Sequence, residues 1–258
     1  MRYDKYNKQL SALQDEVNRL RIENDRLDSD SKSTKEILNN TLHEVRRFSA
    51  QLSNFAERLS RETTDQPQIN QTALSVFYTA GMISSRLAYT DIELNPKALE
   101  NQTPLRSGIY KKFDKARRVL VEEAKNRGVS VNLKGESRAE IYALPVFELL
   151  PFVLIENGIK YSPSNQKIDV CFEQNGRRQS VIVKSMGPSA TRGELPRLFE
   201  KGFRGSNALR MPGEGLGLFL AKRVCEFHDI QIRADSGERS SYSLNGVDYS
   251  EFSVELRF

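Results

Sequence analysis

Gly213-Glu214-Gly215-Leu216-Gly217-Leu218 runs directly into Phe219-Leu220-Ala221-Lys222-Arg223-Val224. Glycines at every second position open a segment whose apolar residues then recur at helical spacing. Without a Cβ, a glycine backbone can come close to a bulky group. The helix start that follows leaves N–H groups without intrahelical partners and carries the positive end of the helix dipole, which suits an anion. A glycine run alone is equally well a plain turn. Two further blocks stand upstream: Leu198-Phe199-Glu200-Lys201-Gly202-Phe203-Arg204 and, before it, Glu156-Asn157-Gly158-Ile159-Lys160-Tyr161. Asn157 and Lys160, three apart on a helix, share one face.

The surrounding pattern mixes helix and strand. Residues 109–126 and 143–160 carry helical spacing, as does 216–227 after the glycines. Val129 to Leu133, then Ile168, Val170 and Phe172, then Val181-Ile182-Val183 are predicted strands, as are residues 230–234 and Phe252 to Phe258. Asn245-Gly246 is a hairpin-turn dipeptide. Residues 104–258 are therefore expected to form an α/β sandwich, a sheet with helices on one side.

The first 60 residues differ. From Tyr3, a 3-4 spacing picks out Tyr6, Leu10, Leu13, Val17, Leu20, Asn24 and Leu27. It continues through Ser31 and Thr34 to Leu38, Thr41, Val45, Phe48, Leu52, Phe55 and Leu59. About eight heptads without a break in phase predict a coiled coil, and Asn24 at an a position points to a parallel dimer. The polar stretch 61–68 ends this helix, with Pro67 as the expected breaker. A second helix carries Val76, Ala80, Ile83, Leu87, Thr90 and Leu94, and Asn95-Pro96 is its expected stop. Two such hairpins from two chains would make a four-helix bundle. The expected fold class is α+β, with a coiled coil over 1–34, a dimerising helical hairpin over 35–100 and the sandwich over 104–258.

Composition narrows the setting. Charged residues make up 28% and the formal net charge is +5, too modest a balance to argue for a nucleic-acid partner. The basic run Lys111, Lys112, Lys115, Arg117 and Arg118 is expected to be a solvated helix face. No segment approaches the roughly 18 apolar residues of a bilayer span, and no signal peptide is visible. Cys171 and Cys225 lie in apolar surroundings and are expected to be buried thiols rather than a disulfide or zinc site. A cytoplasmic protein is expected.

The three blocks, in that order, resemble the ATP-binding domain of sensor histidine kinases, within the wider GHKL (Bergerat) family that includes DNA gyrase and MutL. The resemblance implies Mg-ATP as ligand. Asn157 would hold Mg²⁺ between the phosphates, Lys160 would reach a phosphate oxygen and Tyr161 would lie near the nucleotide. Leu198 to Arg204 and the following residues would form a lid. Gly213, Gly215, Leu216 and Gly217 would offer backbone N–H groups to the phosphates. The partner implied is a response-regulator receiver domain that accepts phosphate on an Asp.

His43-Glu44-Val45-Arg46 resembles the phosphoacceptor box of that family. Counting from Leu38 at a, His43 falls at f, away from the seam. A free imidazole titrates near pH 6.5 and is largely neutral and nucleophilic at cellular pH. Glu44 could take the proton from its other nitrogen during attack on a γ-phosphate. His228, late in the helix after the glycines, is expected to be structural.

The chain departs from the family in places. Arg47 and Phe48 stand where Thr or Asn and Pro are frequent, which bears on phosphatase activity. Val153 stands where kinases carry Asn and gyrase-type ATPases a catalytic Glu, which leaves hydrolysis of the gyrase kind without a base. The Asp-x-Gly-x-Gly box that contacts adenine is altered: Gly187 is kept, while Ser185 replaces the Asp and Ser189 the second Gly. Losing a hydrogen bond to a charged group corresponds to roughly 10- to 100-fold weaker binding. These departures leave a second reading, a histidine phosphotransfer protein or regulator-binding scaffold that uses no ATP. A purely structural coiled coil would leave residues 104–258 unexplained.

Overall fold

The computed structural model describes residues 2–94, 102–175, 178–237 and 240–258. Two compact units divide at residues 48 and 49. The first lies within helix α1 (Arg2–Glu62), whose uninterrupted heptads predicted a single helix. Its large apolar residues stand in solvent: Leu13, Val17, Leu20, Leu27, Leu38 and Val45 are all exposed.

The second unit opens with a helical hairpin, the end of α1 against α2 (Pro67–Leu94). Pro67 is the first residue of α2 rather than the breaker of α1, a position where its missing N–H goes unneeded. The turn closes instead through the Gln66 N–H, which donates to the Thr63 carbonyl at 3.0 Å. Asn95-Pro96 lies outside the described residues. The seam of the hairpin uses small residues. Ser49, Ala56 and Thr63, seven apart, are buried, as are Ala73 and Ala80 of α2. The Ser49 hydroxyl donates to the Ala80 carbonyl at 2.6 Å. The stripe of Leu52, Phe55 and Leu59 does not face α2 and remains exposed, as do Val76 and Ile83.

The α/β part holds a mixed sheet ordered β2 (Ser130–Lys134), β4 (Lys167–Asn175), β5 (Arg178–Pro188), β8 (Val247–Arg257), β6 (Gln231–Ser236), with β7 (Tyr242–Leu244) also on β8. Only β2 and β4 run parallel. Inward residues of the strands, such as Ile168, Val170, Val181, Val183, Val254 and Leu256, are buried under the helices. Those helices are α3 (Ile109–Val119), α4 (Val121–Asn126), α5 (Leu149–Tyr161) and α6 (Gly217–Glu226). Asn245 and Gly246, at φ 53° and 73°, make the expected turn between β7 and β8.

Several expectations are corrected. The segment 109–126 is two helices, because Leu120, at φ −90° and ψ 4°, bends the chain and buries its side chain. The segment 143–160 is helical only from Pro145. Residues 140–143 form β3 (Glu140–Ala143), antiparallel to β1 (Leu105–Gly108), and a short 3-10 turn over Pro145–Glu148 precedes α5. The basic run is no freely solvated face. Lys112 and Lys115 reach Glu148 at 2.9 and 2.6 Å, and Arg117 and Arg118 reach Asp114 at 2.7 and 2.8 Å. Burial would raise the Glu148 carboxyl, but hydrogen bonds from Lys115 and Lys112 outweigh it and hold it below its ordinary value. Cys171 is only half-buried, on the outward side of β4, whereas Cys225 is buried and its thiol is pushed up to about 12 by desolvation and the Glu226 charge.

Helix α2 also packs on the α/β part, which the heptad reading did not foresee. Met82 and Tyr89 belong to its buried core. The Lys115 ammonium stands 5.6 Å from the Tyr78 ring centroid, and Arg86 lies 3.8 Å from Glu156. Burial raises the Glu156 carboxyl above its ordinary value, with Arg86 opposing.

Candidate nucleotide site

A cleft of about 860 Å³, counting its open mouth, lies between the end of α5, the inner face of β5 and the loop before α6. Asn157, Tyr161, Ser185, Gly187, Arg204, Gly215 and Gly217 line it. Its walls are apolar, with Leu154, Leu198, Phe203, Leu218, Phe252 and Val254. A few convergent polar groups in an otherwise apolar slot are what a small-molecule site requires.

The last turns of α5 bring Asn157, Lys160 and Tyr161 together, and the glycine loop folds onto them. A Cβ on Gly217 would lie 2.7 Å from Asn157 Nδ2 and 2.8 Å from its Oδ1. A Cβ on Gly213 would lie 2.6 Å from the Tyr161 hydroxyl and 2.8 Å from Lys160 Nζ. Gly215 sits at φ +69° against the backbone of Gly202, and the Gly202 N–H donates to the Gly215 carbonyl at 3.1 Å. Only glycine takes that conformation and that contact together. Lys160, Gly213 and Leu216 do not line the cleft themselves: the first two meet beside Tyr161, and Leu216 is the N-cap of α6. Among the described residues no side chain caps α6, so its first N–H groups remain available beside Asn157.

The charges suit a polyanion. Arg204 is fixed by its Nη2, which donates to the carbonyls of Ala208 and Met211, while its Nε is buried with no partner among the described residues. Neither Arg204 nor Lys160 pairs with a carboxylate among them. The residues present fit a nucleoside triphosphate. For a metal, no described group of three His, Cys, Asp or Glu could hold one. Asn157 would be a protein ligand to a Mg²⁺ held mainly by phosphate and water, as is usual for that ion.

Val153 is wholly buried, so no polar group enters from that turn of α5. Val183, Phe252 and Val254 were missed by motif reading. Their signal was strand parity, since Val183, Ser185 and Gly187 alternate onto one face of β5. His228 is structural: its Nδ1 lies 2.7 Å from the Val224 carbonyl, and its Nε2 accepts the Leu144 N–H at 3.0 Å. His43 and Glu44 stand exposed on α1, in the other unit.

Residues 151–257 match the family model described as histidine kinase-, DNA gyrase B-, and HSP90-like ATPase. The chain is 30% identical over 90 residues to the sensor protein KdpD of Escherichia coli K12, covering 35% of this chain and 10% of that protein. It is 33% identical over 102 residues to the sensor protein BceS of Halalkalibacterium halodurans, covering 38% and 30%. With the sensor protein kinase GraS of Staphylococcus aureus Newman it shares 23% identity over 181 residues, covering 67% and 50%. The chain thus spans half or less of each of these relatives. Among solved structures, the mycobacterial sensor histidine kinase MprB superposes with a TM-score of 0.47 at 18% identity, over 60% of this chain and 97% of that one. Residues 151–257, under half of the chain, are thus similar to the histidine kinase-, DNA gyrase B- and HSP90-like ATPases, and the curated proteins that share this likeness are sensor proteins.

Proposed function

We propose that the chain is a protein-histidine kinase. It binds Mg-ATP in the cleft, phosphorylates His43 and passes the phosphoryl group to an Asp of a receiver domain. The observation that carries this reading is the glycine loop folded onto Asn157, Lys160 and Tyr161 beside an uncapped helix N-terminus. In the transfer, one imidazole nitrogen of His43 bonds to the γ-phosphorus, the bond to the β–γ bridging oxygen breaks, and ADP leaves. Glu44 takes the proton from the other ring nitrogen. Asn157 would hold the metal, while Lys160, Arg204 and the backbone from Gly213 to Gly217, Leu216 included, would hold phosphate oxygens.

The working unit is a homodimer, divided into a coiled coil over 1–34, a phosphoacceptor hairpin over 35–100 and an ATP-binding domain over 104–258. Exposure of Leu52, Phe55, Leu59, Val76 and Ile83, after the hairpin has closed on small residues, supports pairing with a second copy. No described helix is long and apolar enough to cross a membrane. A cytoplasmic setting follows from the substrate and the receiver partner, and Cys171 and Cys225, free thiols, suit it.

The test is transfer of label from γ-labelled ATP to the purified chain. Acid-labile label that disappears in His43→Ala supports the kinase; label persisting in that variant rejects His43 as acceptor. Ser185 and the buried Val153 favour a second reading, a phosphotransfer protein. It is recognised by label arriving on His43 from a phosphorylated receiver domain with no ATP present.

A further inference from the structure

One end of the cleft is built on the inward face of β5. Val181, Val183, Ser185 and Gly187 share that face, and Ser185 pairs in register with Phe252 of β8. A Cβ on Gly187 would lie 3.2 Å from the Phe252 Cβ, so the missing side chain leaves that space to Phe252. The result is an apolar slot of Leu154, Val183, Leu198, Phe252 and Val254, suited to a flat ring. Its polar groups on the β5 side are hydroxyls. Ser185 and Ser189 both line the cleft. Ser189 spends its N–H on the Asp248 carbonyl at 2.7 Å, yet its Oγ is buried with no hydrogen-bond partner among the described residues. No Asp or Glu among the described residues lines the cleft.

A buried, unpaired hydroxyl calls for an occupant that satisfies it. Its chemistry is two-sided: a hydroxyl rotates to donate or to accept, whereas a carboxylate only accepts. A carboxylate at this end would favour the 6-amino group of a purine and set lone pairs against a 6-oxo group. Hydroxyls accommodate either. We infer that the cleft takes 6-amino and 6-oxo purine nucleoside triphosphates alike, with Ser185 and Ser189 as the residues that set this tolerance. The inference rests on the reading of the cleft as a nucleotide site.

The experiment is calorimetric titration of the full chain with Mg-ATP and with Mg-ITP, which presents a 6-oxo group to the same slot. Dissociation constants within about tenfold of each other are expected. Ser185→Asp should then weaken ITP relative to ATP by about 100-fold or more, as a site built for one hydrogen-bonding pattern rejects its opposite. Ser189→Ala should weaken both by similar factors. The wild-type comparison stands even if Ser185→Asp does not fold. ATP binding more than about tenfold tighter than ITP overturns the inference and leaves the nucleotide site intact. Binding of neither overturns the nucleotide site itself.

Discussion

The Nε2 of His228 accepts the backbone N–H of Leu144 at 3.0 Å, joining the end of α6 to the chain just before Pro145. Its Nδ1 lies 2.7 Å from the Val224 carbonyl and must carry the ring's proton to donate there. The ring is therefore neutral in the folded state. Burial lowers its pKa below 6.5, opposed by the Val224 hydrogen bond and the Asp229 charge. The unfolded chain binds this proton more readily than the folded one. The associated stability is full above pH 6.5 and is lost as pH falls from there through the lowered value. Urea midpoints at pH 8 and pH 5.5 should drop more for the wild type than for His228→Gln; equal drops would remove His228 as the cause.

Gly215→Ala should damage the cleft more than the fold. The added Cβ would meet the Gly202 carbonyl carbon and the Phe203 oxygen at 2.6 Å in a left-handed conformation. Strain of this kind costs about 1–3 kcal/mol. We expect ATP affinity to fall by about 10- to 100-fold in calorimetry, with the sheet's circular dichroism unchanged. Wild-type affinity in this variant would mean that the loop does not touch the ligand.

Glu148→Gln tests the packing beneath α5. The carboxylate receives Lys112 and Lys115 at 2.9 and 2.6 Å with its side chain only 20% exposed. Losing two charge-assisted hydrogen bonds while leaving both ammonium groups half-buried should cost about 1–3 kcal/mol in urea denaturation. Because the Glu148 carboxyl is held low, its contribution is present above pH 4.5 and lost as pH falls through the lowered value. The gap between wild type and variant should close in acid.

Phe55→Glu addresses assembly. Phe55 is 60% exposed, so the substitution should leave the hairpin within one chain undisturbed. Burying a large apolar side chain contributes about 1.5–3 kcal/mol, so removing it twice across the seam of the proposed dimer should shift that dimer to monomer at micromolar concentration in sedimentation equilibrium. An unchanged dimer would place the interface elsewhere.

The heptads made α1 legible because one long period leaves no alternative phase, and Asn245-Gly246 marked its turn because few dipeptides take two positive φ values. What stayed hidden had no local signal. Ser49, Ala56 and Thr63 repeat every seven residues, but small and hydroxyl side chains do not register as a hydrophobic stripe. The large residues did, and they mark the stripe that the hairpin leaves exposed. The joins at Leu120 and Pro145 depended on what the α/β core buries, which periodicity does not report. In the cleft, the glycines and Asn157 were readable because backbone approach restricts residue type. The walls were not, since Val183, Phe252 and Val254 look like any other core residue until β5 and β8 are paired.

Strands β5 and β6 never touch through hydrogen bonds; each pairs only with β8 on this side of the sheet. β8 is also the last of the described strands, ending at Arg257. During synthesis, α1 and α2 leave the ribosome long before the strand that closes the sheet behind Ser185 and Gly187. The helical hairpin can therefore close while the cleft still lacks the wall that Phe252 and Val254 supply. A nonsense codon before Phe252 would leave the helical hairpin whole and strip the cleft of the wall that Phe252 and Val254 make.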